Sequence, residues 1–358
     1  MDRISRFNIV HKLQGRSLLI AINFLASLSI FFFGYDQGMM GGVNNAVDYY
    51  QNTMKFGTQG PDGTPIIHNP LLQGGIVSVY YLGTLCSAFV GGWFSDRYGR
   101  VKTIALGCGW AIFGATLQCS AQNHVWMIFA RLINGWGTGL LNVVVPVYST
   151  ETATHDNRGL FVAVEFTLNI FGVVVAYWLE YGCSFYGDGT SSFAWRFPIA
   201  FQIIPLILLF VICWFFPESP RWLAKVGRNE EARYILGRLR GDTPEGKAAA
   251  EAEMHDIMAI AELDQQEDGQ SSYWHMFFDW KSKLHLGRRV QLVVWLQIVQ
   301  EWVGIAGVTV YAPTIFRIAG ISNSASQWVS GLNNITYMVP TQSSTQRPEL
   351  TDFTSLPP

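Results

Sequence analysis

Seven stretches of this sequence approach or exceed the roughly 20 apolar residues that an α-helix, rising about 1.5 Å per residue, needs to cross a bilayer core about 30 Å thick. They run from about Ser17 to Gly42, Pro70 to Ser95, Thr103 to Ala121, Val125 to Tyr148, Gly159 to Tyr181, Phe197 to Phe216 and Val290 to Phe316. With 49% hydrophobic and 14% charged residues, the chain is too apolar for an ordinary soluble domain. The expected fold class is an all-α polytopic membrane protein. The first run is too long for a signal-peptide h-region and ends in no small-residue cleavage site, so it reads as a retained helix.

The basic residues orient these spans. The amino terminus, the second and fourth connections and the long sixth connection hold 19 of the 24 Lys and Arg, whereas the odd connections hold little more than Lys55 and Arg196. The positive-inside rule then puts the amino terminus and the even connections in the cytoplasm. A formal net charge of -2 points to no nucleic-acid partner. The five cysteines, Cys86, Cys108, Cys119, Cys183 and Cys213, lie mostly in apolar runs without metal-ligand spacing and read as small hydrophobes rather than a disulfide framework.

Composition divides the chain further. Residues 1–16 form a cytoplasmic amino terminus, 17–216 a six-helix bundle, 217–289 a charged, alanine-rich insert expected to form short water-exposed helices, and 290–339 a seventh helix with part of an eighth. The connection "DYYQNTMKFGTQGPDGTPIIHNP" is expected to be irregular. At Pro340 the eighth pattern breaks into a polar, proline-rich tail over 340–358, leaving a helix of about fifteen residues, too short to cross. The sequon at Asn334 sits inside that run and is not expected to carry glycan.

One acid stands out within the apolar runs. Asp36 lies within the stretch "IFFFGYDQGMMGGV", and a carboxylate in hydrocarbon costs roughly 2.5 to 3.5 kcal/mol on insertion scales, so it marks a functional position by default. Arg131 is the only basic residue inside the fourth span, and counting along the chain suggests that it lies near that span's cytoplasmic half. The glycines around these positions, Gly34, Gly38, Gly41 and Gly42 with Gly135, Gly137 and Gly139, suit close helix packing, which in a membrane relies on small residues.

Read together, "GGWFSDRYGRVK", "RLINGWGTGLLNVVVPVYSTETATHDNRG", "PESPRWL", "GYDQGMMGG" and "YAPTIF" resemble, in order, the motifs of the sugar porter family of the major facilitator superfamily. The resemblance covers residues from about 17 to 338. It implies a six-helix amino-terminal bundle, a cytoplasmic helical insert and an incomplete carboxy-terminal bundle. It sets Arg131 beside Asp36 as a proton-coupling pair, the proton being the coupling ion and no other cofactor being implied. An adjacent guanidinium favours the charged carboxylate, and separating the two would favour its protonation. A static ion pair is the alternative. The resemblance also makes Asp96, Arg97, Arg100, Glu151, Arg158, Glu218 and Arg221 a cytoplasmic gate that clamps the two bundles, where a merely solvated basic face is the alternative.

A sugar or polyol would be read near the midplane by polar side chains and aromatic faces. The positions that match the family's site are Gln300, Glu301 and Tyr311 on the seventh span and Phe166 on the fifth, with Glu165 and Asn169 beside it. This sequence departs from the family there: Glu301, Ala306 and Val310 replace Gln, Asn and Tyr, and Phe166 replaces Gln. An ionised glutamate only accepts hydrogen bonds, whereas an amide also donates, so ordinary glucose recognition is in doubt. Glu165 and Glu301 could bind hydroxyls of another polyol, titrate, or share one proton, and Glu165 could equally be a structural acceptor.

The function implied is a proton-coupled carrier working by alternating access as a monomer in a lipid bilayer, with the plasma membrane as the family's default location. A non-transporting solute sensor is the second reading, although such sensors resemble this family with longer cytoplasmic tails. No membrane-embedded nucleophile, metal-spacing pair or phosphate loop is apparent, so the chain is not read as an enzyme. Because the family has two six-helix halves, the sequence is expected to be a shortened one, through a truncated or misread gene after about Met338, and not to transport alone.

Overall fold

Two asparagines and a glycine show how local chemistry sets the helix boundaries. The Asn69 and Asn123 side chains accept hydrogen bonds from the Leu72 and Trp126 N–H groups and cap the helices that follow. Gly99 takes φ 102°, which favours glycine, and so lets one helix end and the next begin within a single residue. In a computed structural model that describes residues 8–61, 64–154, 157–186, 190–267 and 286–345, the first five helices are α1 Arg16–Val43, α2 Pro70–Tyr98, α3 Arg100–Cys119, α4 His124–Thr152 and α5 Arg158–Ser184. Helix α1 runs beside α5, and α4 is sandwiched between α2 and α3. Where α1 meets α5, a Cβ added at Gly34 would lie 1.9 Å from the Asn169 carbonyl oxygen, and one at Gly172 would lie 2.2 Å from that of Phe31. Only hydrogen side chains permit that approach.

Among the described residues, six segments are long and apolar enough to cross a membrane: α1, α2, α4, α5, Phe193–Phe215 and Gly287–Ile318. Helix α3, the remaining stretch read from the sequence, has 20 residues and is less apolar because it includes Arg100, Lys102 and Gln118. The sixth span is two helices, α6 Phe193–Phe201 and α7 Ile203–Ile212, joined at the buried Gln202. Pro205 cannot donate to the carbonyl four residues earlier, which accounts for the break.

The seventh span, expected to be one helix, is also divided. Helix α11 covers Leu286–Trp302 and α12 covers Ile305–Ile318, with Gly304 left-handed at φ 82° between them. Within α12, Tyr311 leaves helical geometry at φ -108°, ψ 15°, two residues before Pro313. Helix α13 spans Asn323–Thr345 and corrects the expectation of a short eighth helix ending at Pro340. A proline removes one backbone donor and need not stop a helix that other bonds sustain. Residues 346–358 of the polar tail, residues 268–285 of the insert and residues 1–7 lie outside the described residues.

The loop expected to be irregular has structure. A π-helical turn, Asp48–Thr53, precedes an antiparallel hairpin of β1 Gly57–Gln59 and β2 Pro65–Ile67, with Gly57 opposite Ile67 and Gln59 opposite Pro65. Tyr49, Tyr50, Met54 and Phe56 are buried there with Tyr35, Met39 and Trp195. We call this the hairpin end of the bundle.

At the opposite, insert end lie α8 Pro220–Lys225, α9 Asn229–Arg240 and α10 Pro244–Glu267. These helices are not simply water-exposed. Ala232, Ile235, Leu236 and Leu239 on α9, at helical spacing, are buried with Leu18 of α1, Phe216, Trp222 and Met254 of α10 in one apolar cluster. The insert is therefore docked on the bundle. Arg238 helps to fix it by donating to the Val10 and Leu13 carbonyls at 2.9 and 3.1 Å.

Candidate functional site

Asp36 lies three quarters of the way along α1 and is fully buried. Arg131 Nη1 donates to its two carboxylate oxygens at 3.2 and 3.3 Å. The guanidinium also sits over the Tyr80 ring of α2, 4.5 Å from its centroid, which adds a cation–π attraction in a desolvated place. Arg131 Nε is buried without a hydrogen-bond partner, and the Tyr80 hydroxyl and the Asn134 amide face the Asp36 carboxylate without a bond of ordinary geometry. Unsatisfied buried polar groups around an ion pair make an arrangement that gains by rearranging or by taking up a hydrogen-bonding guest.

The depth of the pair differs from the expectation. Helix α4 begins at the hairpin end and finishes at the insert end, so Arg131 lies about two turns from the hairpin end and not in the half that carries the insert. Counting within the fourth span gave the wrong half because the chain direction reverses at each connection.

The residues expected to read the solute are only partly brought together. Glu165 is buried, and one carboxylate oxygen has no partner. Phe166, its neighbour on α5, is 64% exposed. Asn169 belongs to the α1–α5 seam, where its Nδ2 lies 3.4 Å from the Ile30 carbonyl oxygen. Tyr311, at the kink of α12, is partly buried against the aromatic cluster of the hairpin end. Gln300 and Glu301 stand exposed on α11, and their side chains make no hydrogen bond or ion pair among the described residues. Asn334 is buried in α13, and its Nδ2 donates to the Ser330 carbonyl at 2.9 Å.

At the insert end, four of the seven expected gate residues converge. Arg100 Nε and Nη2 donate to the two oxygens of Glu151 at 2.9 and 2.8 Å, and Nη1 donates to Asp96 at 3.1 Å and to the Ser95 carbonyl at 3.0 Å. Glu218 accepts from the Arg100 and Val101 N–H groups at 3.0 and 3.2 Å, so it caps α3 from 118 residues further along the chain. Burial pushes the Glu218 carboxyl above its ordinary value, against the pull of these N–H groups. Arg97 is exposed, over the Trp93 ring, and Arg158 and Arg221 make no ion pair among the described residues.

Two partners escaped the sequence reading. Lys225 Nζ pairs with Asp96 at 3.1 Å, and Trp222 Nε1 donates to the Asp96 carbonyl at 2.8 Å. Their signal was the spacing within "PESPRWLAK": Lys225 follows Arg221 by four residues on one helix face. Also unanticipated was Glu180 on α5, a second deeply buried acid.

A bundle of apolar helices with a buried ion pair, divided spans and a charged cluster at one end is the arrangement of a major facilitator membrane protein. Residues 22–346 match the family described as "Sugar (and other) transporter", and the chain belongs to that family. It is 30% identical to the galactose-proton symporter of Escherichia coli K12 over 332 residues, which cover 90% of this chain and 64% of that protein. It is also 30% identical to the sugar transporter STL1 of Saccharomyces cerevisiae over 314 residues, covering 85% of this chain and 52% of that one. The chain thus spans about half to two thirds of the length of these relatives. The partially occluded inward-open structure of the xylose transporter XylE from E. coli superimposes with a TM-score of 0.72 at 21% identity, covering 92% of this chain and 72% of XylE. XylE bound to 6-bromo-6-deoxy-D-glucose gives 0.76 at 22% identity, covering 93% and 70%. These structures share the fold.

Proposed function

We propose that the protein acts in proton-coupled movement of a sugar or polyol by alternating access, with the insert end cytoplasmic and the hairpin end outside, in the plasma membrane. The observation that carries this reading is the fully buried Asp36 held by Arg131 within the helices. An ion pair in that position is costly to bury, and a proton on the carboxylate relieves the need for its partner. The divided spans support the reading, because discontinuous helices with irregular backbone are the usual builders of solute sites in secondary transporters. The galactose-proton symporter, by its name, couples a sugar to protons; the same coupling is what Asp36 would perform here. Arg100, Glu151, Asp96 and Glu218 would hold the insert end closed when the hairpin end is open.

The test is uptake of labelled hexoses, pentoses and polyols into transporter-deficient cells, with and without a proton uncoupler. Asp36→Asn is expected to abolish uphill accumulation while sparing downhill exchange. Accumulation with unchanged pH dependence in this variant would exclude Asp36 as the proton carrier, and absence of any uptake by a verified full-length version would sink the transport reading.

A further inference from the structure

Glu180 is 93% removed from solvent, lies on α5 toward the hairpin end, and has no cationic partner among the described residues. Oε1 accepts from the Val43 N–H at 3.2 Å, and Oε2 is buried against the Gly42 backbone. The carboxyl borders a cavity of about 300 Å³ between α1, α5, α6, α12 and α13. That volume is at the lower end of small-molecule clefts, which span roughly 300 to 1,000 Å³.

The other walls are those of a hydroxyl-reading site. Asn45 spends its Nδ2 on the Gly41 carbonyl at 2.8 Å and leaves its oxygen free to accept. Asn323, at the start of α13, has a buried Oδ1 without a partner, and Gln327 follows one turn later. Tyr177 donates to the Thr309 carbonyl at 2.5 Å across the seam between α5 and α12, and its lone pairs remain able to accept. Tyr181, in edge contact with Phe185 at 4.9 Å, supplies an aromatic wall. Among the described residues, acceptors outnumber donors and no Lys or Arg lines the cavity. An anionic solute finds no counter-charge there, whereas a solute carrying several hydroxyls can donate to each acceptor and lay its carbons on the ring.

We propose that this cavity is an outer recognition subsite for a polyhydroxylated solute, distinct from the positions of Gln300, Glu301 and Tyr311, with Glu180 as its principal hydroxyl acceptor. The proposal rests on the transport reading above for the class of solute. A carboxyl offers an acceptor in either protonation state, and a donor as well when neutral, so Glu180 can pair with a solute hydroxyl in both.

The test is equilibrium binding of tritiated xylitol, glycerol and D-galactose to the purified full chain in lipid nanodiscs. Glu180→Gln preserves size and an acceptor for the Val43 N–H; it is expected to weaken the best of these probes about tenfold or more. Gln327→Leu, on the facing helix, is expected to weaken the same probe severalfold, and if Glu180→Gln fails to fold this variant alone decides. Unchanged affinity in a folded Gln327→Leu overturns the proposal, whatever Glu180→Gln does, because the carboxyl would then act on the fold. Unchanged affinity in a folded Glu180→Gln, or no binding of any probe to the wild-type chain, also overturns it. Binding that responds to both variants, together with no flux in proteoliposomes from a verified full-length version, supports the subsite and refutes the transport reading.

Discussion

The two ends of this bundle are joined by different physics. At the insert end, Arg100, Glu151, Asp96 and Lys225 link α2, α3, α4 and α8 through charge, and Arg240 pairs with Glu253 while donating to the last carbonyls of α4. At the hairpin end most bonds between elements run from side chains to backbone, although Trp195 Nε1 donates to the Asp48 carboxylate at 2.9 Å. Tyr35 donates to the Pro198 carbonyl at 2.7 Å, Arg196 to those of Cys119 and Ala121, and Tyr177 to that of Thr309. Around them lie packed aromatic rings, such as Tyr49 against Trp195 at 5.4 Å. Charge clusters can be weakened by water and protons, whereas aromatic packing yields only to rearrangement. The insert end is thus the electrostatically adjustable one, and the Asp36–Arg131 pair lies between the two regimes, nearer the aromatic end.

The sharpest way to break this contrast is to remove Arg131. Arg131→Leu strands the carboxylate of Asp36, and breaking a buried ion pair by deleting one partner costs about 3 to 5 kcal/mol. Thermal unfolding of the purified chain should show the largest loss of any variant named in this paragraph. Adding Asp36→Leu should recover most of it, since removing both charges from hydrocarbon is nearly neutral. Equal instability of the single and double variants would show that packing of the guanidinium on Tyr80, not charge, holds this region. Next in size is Arg100→Ala. Its side chain is 8% exposed and that of Glu151 is 13%, so the loss should be about 2 kcal/mol, with a double-mutant cycle against Glu151→Ala assigning most of it to the pair. A coupling near zero would remove the electrostatic account of the insert end.

Much of the fold was legible in the sequence because helix length and motif spacing are local properties. The motif "GGWFSDRYGRVK" placed Asp96 and Arg100 at one helix boundary, where Gly99 makes the turn. The depth of Arg131 was not legible by counting within its own span, because depth depends on where the connection before it emerges. Lys225 and Glu180 were missed for a related reason: each acquires meaning from a neighbour 129 or 137 residues away, Asp96 and Val43 respectively. The docking of the insert was visible in the 3.6-residue spacing of Ala232, Ile235, Leu236 and Leu239, yet a high content of charged residues drew the reading toward solvent. The divided seventh span hinged on one left-handed glycine, Gly304, and a glycine alone does not announce its φ.

Glu218 sharpens the comparison through pH. Its carboxyl is raised in the folded state by burial, so the folded chain binds a proton more readily than the unfolded one. The stability it contributes is therefore complete below the unfolded value and declines as pH rises through the folded one. Replacing it with Gln should remove this decline, so that the wild-type chain loses stability relative to Glu218→Gln as pH is raised above the ordinary glutamate value of about 4. Parallel stability curves for the two chains would mean that the bonds to the Arg100 and Val101 N–H groups fully offset burial.

The smallest effect belongs to Lys225. It makes as short a contact to Asp96 as Arg100 does, 3.1 Å in each case, yet its side chain is 48% exposed and that of Asp96 is 52%. Solvent screens such a pair, and ordering a long lysine side chain costs entropy, so Lys225→Ala should change stability by about 0 to 1 kcal/mol. Because the same aspartate serves both cations, the two variants compare burial at nearly constant distance. A loss from Lys225→Ala as large as that from Arg100→Ala would mean that the cluster acts as one network whose members share a common fate. The expected disparity would instead locate the strength of the insert end in the Arg100–Glu151 pair, leaving the lysine as an outlying charge that can detach without opening the cluster.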